Sequence, residues 1–417
     1  MNRFFEIFYE LSSYPRSSGE AAAAREFICA FCERRGFPVA SDSAGNLLVK
    51  VKTPKICLQA HYDMVVIGDH PPRVIRNGDY LRAQNGTLGA DNGVGVALML
   101  LLIERRIAGE YLFTNDEEIG LLGAKYLSVT PLSKTLINLD GEEEGAIIVG
   151  CAGGADYALS VPLEYSDAPS GYQPYAASAK NCAGGHSGVD IDKNIRSALV
   201  EVSRFCFNHG ALVASIDGGE KKNAISRRAC AVAFFTAAPQ SGEFIDICPI
   251  EIERKVIKES PKLLKTLVSL PHGVLRRDEN GVHASANFAM AETGADTLAI
   301  SVSIRGHSFE ALDEIDRQIR QNRWSSIEKS AEYPPWQNGG GKTAKKTFDI
   351  MKSMGLPARF TVMHAGLECA FLKDKLPDTE LFSIGPEIDF PHSDKERVRI
   401  SSIKRFSETL ERIIDET

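Results

Sequence analysis

The chain contains the segment ICLQAHYDMV over residues 56–65, in which an apolar run ends in a histidine, a tyrosine and an aspartate. The apolar run predicts a buried strand over Ile56–Ala60. Because side chains alternate along a strand, His61 and Asp63 point to the same side. The Asp63 carboxylate can then accept the imidazole N–H and fix the tautomer of His61 that binds a metal. A solitary histidine at a strand end is more often structural, so this interpretation needs support from other residues.

The elements around this strand alternate between helix and strand. In chain order, the periodicity predicts helices over residues 2–13 and 19–35, strands over 46–51 and 56–60, a helix over 93–105, and strands over 110–115 and 135–140. This alternation predicts the α/β fold class, with helices on both faces of a sheet.

The chain is long enough for two domains, because its 417 residues exceed the ~250–300 at which single cores stop growing. From about Ala155 the sequence changes to longer polar strands and loops rich in glycine, proline, serine and asparagine. After Tyr333 the alternation of helix and strand returns. We therefore predict a first domain in two parts, residues 1–154 and 326–417, with an α+β domain over residues 155–325 inserted between them.

Charge and apolar patterning exclude two classes of partner. The chain has 48 lysines and arginines against 55 aspartates and glutamates, a net charge of −7, and no long basic run that could follow nucleic acid. Its longest apolar run, Val94–Ile103, is shorter than the ~20 residues of a membrane helix. Glu6 and Glu10 interrupt the apolar residues near the N-terminus, which disfavours a secretory signal. Because the nine cysteines are scattered and do not form a disulfide framework, we expect a cytoplasmic protein.

Three further segments place carboxylates near the ends of predicted strands. Asp91 lies in a glycine-rich turn, TLGADNGVG over residues 87–95, where it is either a helix cap or a carboxylate that bridges metals. Asp116–Glu118 puts three carboxylates in a row, which repel one another unless a cation lies among them. The alternative for these three is a solvated acidic loop. Asp140 follows another predicted strand, at the edge of the sheet where ligands of α/β proteins bind.

A second histidine, His392, follows the last predicted strand. It completes a set of two imidazoles and three carboxylates. Nitrogen and oxygen donors of this kind suit two Zn²⁺ ions that share one carboxylate. The predicted ligands are His61, Asp91, Glu118, Asp140 and His392.

Three familiar motifs are incomplete in this sequence. A dinucleotide-binding G-x-G-x-x-G would need glycine in place of Leu98, and a phosphate-binding loop would need glycine in place of Trp336. A serine-hydrolase elbow around Ser187 would need glycine in place of Val189. The sequence therefore favours metal chemistry over nucleotide-dependent or serine-based chemistry.

The predicted ligands belong to a longer series of motifs that spans nearly the whole chain. They are PRSSG over residues 15–19, HYDMV over 61–65, TLGADNG over 87–93, DEEIG over 116–120, EEEG over 142–145, GCAGG over 150–154, GGHSG over 184–188, HAGLEC over 364–369, and HS at 392–393 ahead of ERV at 396–398. In order and spacing these motifs resemble the aminoacyl-histidine dipeptidases (Xaa-His dipeptidases, carnosinase-like), a branch of the co-catalytic di-zinc metallopeptidases. The resemblance implies a zinc-exopeptidase-like catalytic domain, with the inserted domain as its lid.

The resemblance also implies how the ligands are shared. His61 and Asp140 would hold one zinc, Glu118 and His392 would hold the other, and Asp91 would bridge the two. Mn²⁺ or Co²⁺ are possible substitutes for zinc.

Further residues receive roles from the same resemblance. Glu117 would be the general base that takes a proton from the metal-bridging water and passes it to the leaving amine. Asp63 would orient His61. His186, in the inserted domain, would stabilise the oxyanion formed during hydrolysis. The implied substrate-binding residues are Asn223, Asn287, Arg305 and Glu368.

The resemblance implies hydrolysis of small peptides, Xaa-His dipeptides in particular. A related tripeptidase, carboxypeptidase or N-acyl amino acid deacylase is the alternative, and a metal-dependent binding protein without turnover is the candidate from a different class. The sequence leaves open the physiological substrate, the native metal and the position of the lid. It also leaves open whether the protein is a monomer or a homodimer that associates through the lid.

Overall fold

A computed structural model describes residues 1–279, 281–322, 324–337 and 339–417, and every predicted site residue lies within these ranges. The chain divides into two units. Unit 1 consists of residues 1–151, 336–363 and 367–417, and unit 2 of residues 152–335 and 364–366. These limits differ from the sequence-based division at 154/155 and 325/326. The strand Ser326–Tyr333 pairs with Gly153–Pro162 and therefore belongs to unit 2.

A mixed sheet forms the centre of unit 1. In spatial order, its strands within the described residues are Val39–Ser41, Leu47–Val51, Gly109–Thr114, Ile56–His61, Thr135–Asn138, Glu380–Ser383, Ala146–Cys151 and Arg359–Met363. The strand Ile56–His61 runs parallel to both of its neighbours, Gly109–Thr114 and Thr135–Asn138. The carboxyl ends of these three strands therefore lie at the same edge of the sheet.

The helices of unit 1 cover this sheet. They are Asn2–Ser12, Ala22–Glu33, Ala90–Glu104, Leu122–Lys125, Lys342–Ser353, Cys369–Lys375 and Ile400–Glu416, and a smaller sheet contains Val74–Asn77, Tyr80–Ala83, Ile388–Asp389 and Arg397–Arg399. Every residue from Ala90 to Ile103 is buried, so the longest apolar run of the sequence is part of the core of unit 1. Among the described residues, no helix combines the length and the apolar character needed to cross a membrane.

Unit 2 is an α+β unit built on an antiparallel sheet. In spatial order, its strands are Ile245–Pro249, Gln173–Ala179, Ala229–Phe235, Leu212–Gly218, Gly281–Thr293, Thr297–Gly306, Gly153–Pro162 and Ser326–Tyr333, with Gly273–Asp278 also paired to Gly281–Thr293. Two short strand pairs lie outside it, Tyr165–Asp167 with Lys255–Ile257 and Gly185–His186 with Ala224–Ile225, and the helices are Ile191–Lys193 (3₁₀), Ala198–Asn208, Ser260–Ser269 and Phe309–Arg320. Leu199, Leu264 and Ile315 from the helices and Phe288 and Val302 from the sheet contribute to one buried apolar core.

Truncating the buried helix of unit 1 should destabilise the protein. Leu100 is fully buried, and Leu100→Ala removes apolar contacts and leaves a cavity. We expect a loss of about 2–5 kcal/mol in the free energy of unfolding, measured by denaturant titration. Leu132→Ala is the matched control, because Leu132 is 72% exposed and its truncation should change stability by less than about 0.5 kcal/mol. Equal effects of the two substitutions would contradict this account of the core.

Candidate metal centre

The parallel strands of unit 1 carry polar residues at their carboxyl ends. His61 is the last residue of its strand and lies in register with Thr114, the last residue of the neighbouring strand. The turn that follows Thr114 carries Glu117 and Glu118. On the other side, Asp140 lies two residues beyond the end of the strand Thr135–Asn138. The fold therefore brings groups that are far apart in sequence to one sheet edge.

The first group of candidate ligands consists of His61, Asp91 and Asp140. The Nε2 atom of His61 lies 3.1 Å from Oδ1 of Asp91 and 3.2 Å from Oδ1 of Asp140. One donor atom from each residue lies within 4.8 Å of the other two. The side chain of His61 is only 1% exposed, so this group is shielded from bulk water.

The second group shares Asp91 with the first. The Nε2 atom of His392 lies 3.0 Å from Oδ2 of Asp91 and 2.9 Å from Oε1 of Glu118. Asp91 therefore directs one carboxylate oxygen to each imidazole, Oδ1 to His61 and Oδ2 to His392. A carboxylate placed in this way could serve two cations at once. The structure thus brings all five predicted ligands together.

Asp63 connects the two strand ends beneath the ligands. Its Oδ1 atom lies 3.4 Å from Nδ1 of His61, on the side of the ring opposite Nε2. The backbone N–H groups of Glu117 and Glu118 donate to its two carboxylate oxygens over 3.1 and 3.3 Å, and the Ser18 hydroxyl donates over 2.7 Å. Nδ1 of His61 also lies 3.1 Å from the backbone carbonyl oxygen of Asp63, so this one residue fixes both the imidazole and the turn that carries the acidic pair.

Glu396 is a supporting residue to which the sequence analysis assigned no role. Its buried carboxylate accepts the backbone N–H groups of Leu88, Gly89 and Ala90 over 2.7–2.9 Å. These donors form the turn immediately ahead of Asp91, so Glu396 holds that turn in place. The only indication of this role in the sequence is that Glu396 belongs to the ERV motif. Local patterns cannot pair Glu396 with a turn some 300 residues away.

Arg16 supports the same region from the N-terminal segment. It is fully buried, and its guanidinium donates to the backbone carbonyls of Tyr62, Asp63 and Gly89. These contacts tie the strand end that carries His61 to the turn ahead of Asp91. Arg16 lies in the PRSSG motif, but no local pattern in the sequence indicates its contacts with these carbonyls.

The carboxylates of the site repel one another. Burial raises the pKa of Glu117 well above its usual range, and the adjacent Glu118 carboxylate raises it further. Burial also raises the pKa of Glu142, and the charges of Asp91 and Asp140 add to that increase. A divalent cation among these groups would relieve the repulsion, so the charge balance and the donor set both fit metal ions.

The pKa values of the two imidazoles are also raised, but by the neighbouring carboxylates and against the effect of burial. Burial alone lowers the pKa of His61, but the carboxylates of Asp140, Asp63 and Asp91 outweigh it and raise the pKa well above the usual value. Burial likewise lowers the pKa of His392, while Asp91 and Glu118 raise it to about 12. The carboxylates therefore favour the protonated form of both rings, so protons and metal ions compete for the same nitrogen atoms.

The predicted residues of the inserted domain lie in unit 2. His186 pairs through its backbone with Ala224, next to Asn223, whose carbonyl accepts the N–H of Ser187. Asn287 is buried and its amide donates to the carbonyl of Ala224 over 2.8 Å, and Arg305 donates to the hydroxyl of Tyr333. Their predicted roles towards a substrate stay predictions.

Glu368 is fully buried in unit 1, under the sheet edge. Its Oε2 atom accepts hydrogen bonds from Gln59 Nε2 over 2.5 Å and from Thr114 Oγ1 over 2.8 Å. Burial raises its pKa to about 8. The structure therefore shows Glu368 in contact with protein groups, and its predicted role in substrate binding stays a prediction.

Fold and site together define the class of α/β metal-dependent hydrolases. The family model of Peptidase family M28 matches residues 46–168, which carry four of the five candidate ligands. The sequence is 28% identical to the cytosol non-specific dipeptidase of Escherichia coli (strain K12), over 99% of this chain and 97% of that protein.

Solved structures of peptidases are also similar to this chain. Aminoacylhistidine dipeptidase from Vibrio alginolyticus matches with a TM-score of 0.80 and 26% identity, covering 99% of this chain and 96% of that chain. A tripeptidase from Staphylococcus aureus shares the fold, with a TM-score of 0.65 and 16% identity, covering 99% and 97% of the two chains. The predicted resemblance to the aminoacyl-histidine dipeptidases and the predicted α/β zinc-exopeptidase-like fold class are confirmed.

Metal binding should displace protons from the site. Because the pKa values of His61 and His392 are raised, a metal ion has to compete with protons for both rings. The apparent affinity for Zn²⁺ should therefore rise with pH throughout the range below these raised pKa values, including the interval from about pH 6 to about pH 8, with proton release measured by calorimetry in buffers of different ionisation enthalpy. His392→Ala should reduce the number of protons released, whereas the control His209→Ala, at an exposed position, should not. An affinity independent of pH would contradict the assignment of these ligands.

Proposed function

We propose that the protein is a cytoplasmic di-zinc exopeptidase that hydrolyses dipeptides, with Xaa-His dipeptides among its substrates. The observation that carries the proposal is Asp91, whose two carboxylate oxygens face two different imidazoles within 3.0–3.1 Å. The similarity to a cytosol non-specific dipeptidase and to an aminoacylhistidine dipeptidase, each over nearly the whole chain, supports the type of substrate. Monomeric and homodimeric forms are both compatible with the proposal.

His61 and Asp140 would hold one ion, Glu118 and His392 the other, and Asp91 would belong to both sets. When bound, divalent ions of this kind lower the pKa of water and polarise a carbonyl group. Zinc suits the mixture of imidazole and carboxylate donors, and Mn²⁺ or Co²⁺ could substitute for it.

Glu117 is the proposed general base. Its backbone N–H donates to Asp63, which fixes the start of its side chain beside Glu118 and His61. Burial and the neighbouring charge of Glu118 raise the proton affinity of its carboxylate. A carboxylate with raised proton affinity can take a proton from the attacking water and then deliver it to the amine that leaves.

His186 is the proposed oxyanion donor of unit 2. Its Nδ1 atom accepts the backbone N–H groups of Gly188 and Val189 over 3.2 and 3.1 Å. In the neutral ring the proton must then lie on Nε2. An Nε2–H group can donate a hydrogen bond to the oxyanion that develops when the peptide carbonyl is attacked.

The carboxylate of the substrate is assigned to Arg305. A guanidinium presents N–H groups in a planar fork that matches a carboxylate. Asn223 and Asn287 belong to the same predicted subsite. A dipeptidase has to recognise both ends of its substrate, so a fixed cation for the C-terminal carboxylate is expected of this activity.

Substitution of Glu117 should separate chemistry from metal binding. Glu117→Gln keeps the size of the side chain but removes the base, so kcat should fall by at least about 10²-fold while the metal content stays the same. The matched control is Asp116→Asn, the neighbouring acid, whose carboxylate accepts the N–H of Gly19 over 2.6 Å. That variant should keep most of the activity. Near-normal turnover by metal-loaded Glu117→Gln would show that the general base has been assigned wrongly.

A substrate panel tests the proposed activity itself. Metal-stripped protein should not cleave peptides, and added Zn²⁺ should restore cleavage of β-Ala-His, α-linked Xaa-His and other dipeptides. Tripeptides and N-acyl amino acids in the same panel test the related tripeptidase, carboxypeptidase and deacylase activities. Metal-loaded protein that cleaves none of these compounds would instead favour a metal-dependent binding protein.

A further inference from the structure

Three adjacent strands of unit 2 place Arg305, Gly154 and Tyr333 in one row. Arg305 is the register partner of Gly154, and Gly154 is in turn the register partner of Tyr333. Arg305 and Tyr333 therefore lie two strands apart, about 9–10 Å between backbones. Their side chains nevertheless meet, because Nη1 of Arg305 donates to the hydroxyl of Tyr333 over 2.9 Å.

Gly154 makes this contact possible. A Cβ atom on Gly154 would lie 2.5 Å from the hydroxyl oxygen of Tyr333 and 2.7 Å from its Cζ atom. These distances are too short for any side chain, so the phenol crosses the middle strand directly over the glycine backbone. Glycine in a strand interior often marks such a close approach.

Gly366 restricts the same ring from another segment of unit 2. A Cβ atom on Gly366 would lie 2.8 Å from Cε2 of Tyr333, so the ring packs against glycine backbone there as well. His364 anchors the segment that carries Gly366, with Nε2 2.7 Å from Oγ of Ser285 and Nδ1 3.0 Å from Nε2 of His307. The position of the phenol is therefore fixed by two glycines and an anchored segment.

The guanidinium of Arg305 is restricted in turn. A Cβ atom on Gly188 would lie 3.2 Å from both Cζ and Nε of Arg305, so the backbone at Gly188 packs against the guanidinium. Ser285, which bonds His364, is the register partner of Arg305 on the other side. Burial, and the charges of His307 and Arg305, lower the pKa of His364 to about 3, so this ring is uncharged beside the guanidinium at neutral pH.

We propose that Tyr333 is a positioning residue that orients Arg305, and that it thereby sets the preference of the enzyme for substrates with a free C-terminal carboxylate. This inference rests on the proposed function, in which Arg305 binds that carboxylate. A guanidinium has five N–H groups, and one of them donates to the phenol. Holding a long, flexible side chain in one orientation before binding lowers the entropy lost when the substrate carboxylate is engaged.

The test is Tyr333→Phe, which keeps the ring between the glycines and removes the hydrogen-bond acceptor. For a dipeptide with a free carboxylate, KM should rise by roughly tenfold while kcat stays within about twofold. For the corresponding dipeptide amide, kcat/KM should stay unchanged. If the amide is not hydrolysed, its inhibition constant against the free dipeptide provides the comparison.

Tyr165→Phe is the matched control, because it removes a phenol hydroxyl elsewhere in unit 2, near the carbonyl of Gly294. It should change none of these constants. The melting temperature of Tyr333→Phe shows whether the fold is intact, and a loss confined to the free carboxylate would not follow from a merely unstable protein.

Arg305→Gln and the double variant separate this inference from the proposed function. If Arg305→Gln leaves the preference for free carboxylates unchanged, Arg305 does not bind the carboxylate and the proposed subsite fails. If Arg305→Gln removes the preference but Tyr333→Phe does not reduce it, the subsite stands and the role of Tyr333 is overturned. If Tyr333 acts through Arg305, the double variant should be no worse than Arg305→Gln alone, whereas additive losses would contradict the inference.

Discussion

The main constraint on unit 1 is the mutual repulsion of buried carboxylates that lie close together in the fold. Asp91, Glu118 and Asp140 lie around two imidazoles, and Glu117 and Glu142 add further negative charge. In a buried setting such groups either bind protons or surround a cation, because desolvation penalises each uncompensated charge. The raised pKa values of the imidazoles and of the extra carboxyls follow from this crowding of negative charge. Divalent ions among these groups would relieve the repulsion.

A site of this kind requires a rigid frame, since flexible carboxylates would move apart. The frame has two parts: parallel strands whose ends meet at one sheet edge, and buried polar residues that fix the connecting turns. Asp63 binds the turn of Glu117 and Glu118, and Glu396 binds the turn ahead of Asp91. Each of these carboxylates accepts at least two backbone N–H groups, which satisfy its oxygen atoms within the protein. The frame is therefore built from groups of the protein itself.

Sequence reasoning was effective where local rules act. Alternation along a strand placed His61 and Asp63 together, and the rule that ligands lie at the carboxyl ends of parallel strands joined Asp140 and Glu118 to them. Sequence reasoning gave no role to Glu396 and Arg16. Both side chains bond to backbone groups, and such contacts leave no recognisable pattern in the sequence. The same reasoning ended the inserted domain at 325, since the exposed, charged strand Ser326–Tyr333 has no apolar alternation to mark it, and only its pairing with Gly153–Pro162 assigns it to unit 2.

In unit 2, glycine residues determine how a functional side chain is oriented. Glycine in a strand interior weakens the strand by roughly 0.5–1 kcal/mol relative to alanine, so its presence at position 154 needs a reason. One reason is the phenol of Tyr333, which can cross that strand only where no Cβ intervenes, and the other is the carbonyl oxygen of Ile304, which would lie 2.7 Å from a Cβ at this position. In unit 1 the orientation of functional groups is set by hydrogen bonds to buried carboxylates. In unit 2 the orientation of Arg305 is set by the absence of atoms at Gly154 and Gly366, which lets an aromatic ring reach the guanidinium and hold it.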